Sequence, residues 1–103
     1  MKKVNIQGKE YVIKHSLRCL FKYEQLFGKP YQGQTSEENY QLLHAALFAY
    51  NPEYTMTFDE LIDECDNDPG IFIAFQEEMT DASRRLTQYF ENKKKVETAT
   101  ESR

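Results

Sequence analysis

Apolar and polar positions change period several times along the chain, and each change marks an element. In residues 3–14, KVNIQGKEYVIK, Val4 and Ile6 share a face, then Tyr11 and Ile13, with Gln7, Gly8 and Lys9 between them. Period two on both sides of a glycine turn predicts a β-hairpin. A lone two-stranded hairpin is marginal in water, so one of its faces must lie on apolar surface supplied by the segments that follow.

The period then becomes helical. Ser16 is placed to cap LRCLFKYEQLF, where Leu17, Leu20, Phe21 and Phe27, flanked by Tyr23 and Leu26, form a broad stripe. Gly28 stands where a left-handed terminal residue belongs, and Pro30 follows, so this helix is expected over 17–27. The stretch GKPYQGQTS reads as a loop. A second helix opens on the Thr35-Ser36-Glu37-Glu38 capping box; Tyr40, Leu43, Leu47 and Tyr50 recur at three and four, with Ala45, Ala46 and Ala49 allowing close approach of a neighbour. It is expected to end at Asn51-Pro52.

The segment MTFDELIDECDNDPG carries six carboxylates, Asp59, Glu60, Asp63, Glu64, Asp66 and Asp68. Calcium fails on spacing: counted from Glu64, an EF-hand register puts Pro69 where glycine is needed and Phe75 where a carboxylate is needed. The acids fit helix punctuation better. Thr57 and Glu60 form a second capping box, Met56 and Leu61 a hydrophobic staple, and Phe58, Leu61, Ile62 and Cys65 a short apolar face. Asp68-Pro69 restarts a helix, with aspartate as cap and proline at the first position.

From Pro69 the three-four spacing runs long, through Phe72, Phe75, Met79, Ala82, Leu86 and Tyr89, with Ile71, Ile73 and Phe90 widening the stripe. About 25 residues at ~1.5 Å each give a rod of about 38 Å, which matches or overruns a globule of this chain length. Its last turns, with Leu86, Tyr89 and Phe90, are expected to lack partners within the chain. The end, VETATESR, has no periodicity. The expected architecture is mainly α: one domain over 1–92, with an N-terminal hairpin (3–14) packed on a bundle of about four helices including a long C-terminal one, followed by a disordered charged tail over 93–103.

Composition narrows the chemistry. With 103 residues, 40% of them apolar, the chain can bury one core but not two. Thirteen basic against seventeen acidic residues leave a net charge of −4, which gives no general attraction to phosphate backbones, so nucleic acid is not expected as a ligand. No apolar run suits a membrane span or a signal core, and a cytosolic protein is expected. Cys19, Cys65, His15 and His44 are the soft ligands; only His15 and Cys19 are close in sequence, whereas zinc modules bring ligands in closely spaced pairs. No metal, cofactor or catalytic residue is assigned, because no nucleophile-base pair, phosphate loop or ligand cluster is present.

The succession of the IQGKEYVI hairpin, SLRCLFKYEQLFGK, a helix ending ALFAYNPEY, MTFDELIDECDNDP and a long final helix resembles small tail assembly chaperones of long-tailed bacteriophages. The similarity covers about residues 4–90. It departs from the family at Leu26-Phe27-Gly28-Lys29, where a threonine often precedes the Gly-Lys pair. The resemblance implies a non-enzymatic protein of the infected bacterial cytoplasm that binds the tape measure protein, keeps it soluble and helps tail tube protein polymerise around it, leaving before the virion is complete. It also implies a longer frameshifted form in many members; Lys93-Lys94-Lys95 suits a slippery codon run but reads better as a basic helix end favoured by the dipole.

No binding residue transfers from the family by motif. On physical grounds Met79, Leu86, Tyr89 and Phe90 are the candidate partner-binding residues, holding amphipathic client segments as a helix lies in a groove. Weak self-association is expected, and the acidic surface argues for basic client segments. The alternatives are a structural tail or connector subunit and a regulatory protein-binding adaptor.

Overall fold

A computed structural model describes the backbone of residues 1–101 and the side chains of residues 1–89. The chain begins with an antiparallel hairpin, β1 (Lys2–Ile6) and β2 (Lys9–Ile13), in which Val4 faces Tyr11 and Ile6 faces Lys9. Gln7 and Gly8 alone form the turn, both with positive φ (56° and 77°), the geometry of a two-residue turn matched to strand twist. The Gln7 side chain donates to Glu64 Oε1 at 2.6 Å, so the turn is tied to a helix far along the chain. Val4, Ile6, Tyr11 and Ile13 are buried.

Four helices follow: α1 (Leu17–Phe27), α2 (Ser36–Tyr50), α3 (Phe58–Asn67) and α4 (Gly70–Glu101). Their ends are set by local chemistry. Ser16 Oγ accepts from Cys19 N–H at α1, and Gly28 closes that helix at φ 71°. Thr57 and Glu60 exchange both bonds of a capping box at α3. Asp68 ends α3 and starts α4, its side chain accepting the Gly70 N–H at 3.0 Å. At α2, Thr35 caps as the sequence predicts, but Glu38 does not complete the box. Its carboxylate instead accepts the N–H groups of Gln32, Gly33 and Gln34, folding the preceding loop onto the helix start. Those bonds, the Gln32 N–H first, hold the Glu38 carboxyl below the ordinary carboxylate range against a smaller opposing effect of burial.

The fold is mainly α with an N-terminal hairpin, and α2 is its centre. Leu42, Leu43, His44, Ala45, Ala46 and Leu47 are all buried, because α1, β2, α3 and α4 pack around this one helix. The alanines set the close approach. β1 lies against α4 and β2 against α2. α4 contributes Ile71 and Phe75 to the core, and Phe72 stacks on Tyr40 with ring centroids 4.0 Å apart.

α4 has 32 residues, about 48 Å of helix, and the longest dimension of the protein is 58 Å. Its backbone is helical to Glu101. The helix therefore includes most of the 93–103 stretch expected to be a disordered tail. Missing apolar periodicity removes a packing face, but Lys, Glu and Ala are good helix formers and extending an existing helix incurs no new nucleation cost.

Candidate protein-binding groove

Seven apolar or aromatic residues occupy the eleven positions of α1, so apolar character covers most of its circumference and a single core contact cannot bury it all. The structure buries the side carrying Cys19 and Tyr23, with Leu20 and Phe27 half-buried beside them. The buried side is thus rotated by roughly a quarter turn, at ~100° per residue, from the stripe of Leu17, Leu20, Phe21 and Phe27 that helical spacing picks out. Leu17 and Phe21, both on the stripe that helical spacing picks out, are 69% and 56% exposed. The cause lies in the neighbours. Tyr23 reaches Gln41 on α2 through its hydroxyl at 3.1 Å and sits edge-on to Tyr31, while the Cys19 thiol donates to the Leu42 carbonyl. These contacts turn the small and hydroxyl-bearing side of α1 inward and leave the aliphatic side out.

That outer side borders α4. A groove of about 550 Å³ runs between the start of α1 and the middle of α4, walled by Leu17 and Leu20 on one side and by Ala82, Leu86 and Tyr89 on the other. Beyond Leu17 the surface continues as a shallower hollow against Phe21 and Tyr50. Leu86 and Tyr89 are 55% and 59% exposed. An exposed row of this kind, continuous over two helices, differs from the scattered apolar residues found on any protein surface.

Two residues lining the groove, His15 and Arg85, are bound to a buried carboxylate behind it. Glu78, fully buried on α4, accepts the His15 N–H at 2.9 Å and lies 3.0 Å from the amino terminus and 3.5 Å from Arg85. Burial alone would raise its pKa; the His15 N–H, the terminal ammonium and Arg85 outweigh this and hold it below the ordinary carboxylate value. Glu78 thereby ties the link between β2 and α1 to α4 beside the groove. The His15 ring stands edge-on to Phe75, its pKa lowered by burial and partly restored by Glu78.

Of the four candidate residues, Leu86 forms a wall of the groove and Tyr89 lies beside it. Met79 is half-buried, packs against the core and does not line the groove. The side chain of Phe90 lies outside the described residues. The exposure of Leu17 and Phe21 was not legible in the sequence because helical spacing alone marks an apolar face without saying which face a neighbour will cover. The excess of apolar positions around α1 was the available signal.

The other chemistry-bearing residues are dispersed. Among the described residues no group of three or more His, Cys, Asp and Glu side chains could hold a metal ion. Cys19 and Cys65 are free and buried, and burial pushes their thiols up to about 12 and about 11. His44 is buried among Phe27, Phe48, Tyr54 and Phe58, with Nδ1 2.9 Å from the Tyr54 hydroxyl. Among the described residues no helix is long and apolar enough to cross a membrane. Comparison of the chain with protein-family models, curated proteins and solved structures finds no match.

Proposed function

We propose that this protein is a tail assembly chaperone of a long-tailed bacteriophage, which binds and solubilises the tape measure protein and assists tail tube polymerisation in the cytoplasm of the infected bacterium. The supporting observation is the open apolar groove between α1 and α4, added to the family resemblance of the sequence. Its walls are aliphatic and aromatic, and α4 carries the exposed row well along the helix. An elongated helical client presents repeated amphipathic segments, and each could lay its apolar ridge into such a channel while water is excluded from both.

Coexpression with a tape measure protein tests this. The parent chain should keep the client in the supernatant and copurify with it. Leu17→Ser combined with Leu86→Ser should abolish both while preserving helix content and melting temperature, since both side chains are exposed. A double variant that still carries the client overturns the groove as the binding site. Stoichiometric presence of the protein in purified virions would replace the chaperone by a structural tail subunit.

A further inference from the structure

The charges around the groove do not follow the charge of the chain. The protein has four more acids than bases, yet among the described residues no carboxylate stands with the side chains lining the groove or the hollows that continue it over Phe21. The charged residues described on their rim are cations, Lys14 and Arg85 beside Leu17 and Leu86, and Arg18 and Lys22 beside Phe21, interspersed with neutral Ser16, Ser83 and Gln25. Arg18 and Lys22 are four apart on α1 and so share one side of it. Among the described residues Lys14, Arg18 and Lys22 pair with no carboxylate, and Arg85 stands 3.5 Å from the buried Glu78. Exposed acids are concentrated along α3, at Asp59, Asp63 and Asp66, while on α1 the carboxylate of Glu24 lies one turn beyond Phe21, outside the groove and its hollows.

We infer that the groove takes an amphipathic helix whose apolar ridge is bordered by aspartate and glutamate side chains. The inference rests on the reading of this groove as the client site and names the client's chemistry. The overall balance of the chain argues for basic segments, but a seated helix meets the rim at contact distance. At physiological ionic strength charges beyond ~8 Å are largely screened, so the local cations decide the sign. Leu17 and Phe21 from α1, with Leu86 from α4, take the ridge. Lys14, Arg18 and Lys22 then lie where carboxylates flanking that ridge would come to rest, and a lysine-flanked helix would bring like charges together without relief.

Three synthetic helices sharing one leucine-rich face and flanked by Glu, Gln or Lys, titrated with the full chain by fluorescence anisotropy, test this. The Glu-flanked helix should bind about tenfold more tightly than the Gln-flanked one at about 0.05 M salt, narrowing to about threefold or less at about 0.5 M. Lys14→Glu with Arg18→Glu, both exposed positions, should reverse the order and favour the Lys-flanked helix. Equal binding of all three, or a Lys preference by the parent, overturns the charge inference and leaves the groove as a client site. Failure of all three to bind removes both. Self-assembly of the chain alone, seen by sedimentation and lost in Leu17→Ser, would place a second copy in the groove and overturn the inference as well.

Discussion

Asn51 stands beside Val12 as a further strand would: its Oδ1 accepts the Val12 N–H at 2.9 Å and its Nδ2 donates to the Val12 carbonyl at 2.7 Å. The same amide nitrogen also donates to Leu47 C=O, at 2.9 Å. One buried side chain thus pairs both outward backbone groups of Val12 on the open edge of β2 and closes the end of α2. Asn51→Ala leaves both Val12 groups without these partners and should cost about 2–4 kcal/mol, read as a lowered melting temperature. Asn51→Asp should cost at least as much, because a carboxylate cannot donate to the Val12 carbonyl. An alanine variant as stable as the parent would show that water replaces the bridge.

Glu78 gives an acid-sensitive term. Its carboxyl is held below its ordinary pKa in the fold, so its contribution is complete above the unfolded value near 4.5 and fades as pH falls through the lower folded value. Glu78→Gln should therefore lower stability at pH 7, by about 1.5–3 kcal/mol for the charge-assisted bond to His15, with the gap to the parent closing below about pH 4. Chemical denaturation at several pH values measures this. A gap independent of pH would mean that the ionised form plays no part.

His44 acts in a different window. Burial lowers its pKa from 6.5 to about 4, so the unfolded chain takes up the proton first. Stability is then full above about pH 6.5, declines as pH falls toward 4, and levels off below. His44→Gln should remove most of that slope whatever it does to the absolute stability, and thermal melts from pH 7 to 4.5 distinguish slope from level. A variant with the parent's slope would assign the proton uptake to another group.

The orientation of α1 predicts a sharp contrast within one helix. Tyr23→Ala empties a fully buried site and should cost about 3–5 kcal/mol, whereas Phe21→Ser, two residues away, should change stability by less than about 0.5 kcal/mol. Equal losses at the two positions would restore the core stripe that helical spacing predicts.

How much was legible follows from where each cause sits. The bounds of α1, the capping box at Thr57, the glycine end at Gly28 and the hairpin are decided by residues within four positions of one another, and all were readable from the chain. The rotation of α1 was not, because its apolar residues admit more than one inward face and α2 selects among them through Gln41 and Leu42. Nor was Glu78, which sits in the middle of the acids Glu77, Glu78 and Asp81 and is distinguished from them only by the folding of β1 and the His15 link onto α4. Glu38 resembled half of a capping box, and its real partners lie upstream in a loop whose path no local pattern dictates. In the groove, Leu86 and Tyr89 were accessible to sequence reasoning because α4 outruns its core; the opposite wall was hidden because the stripe on α1 carries no mark of which of its residues a neighbour will cover.

The cationic border also governs how copies of the protein treat one another. Two molecules meeting groove to groove about a twofold axis would match grease with grease, but would set Lys14, Arg18, Lys22 and Arg85 of one against the same four of the other. Homotypic pairing in that geometry would bring like charges together at contact distance, the same kind of cost that gatekeeper charges beside apolar surface impose on self-association in general.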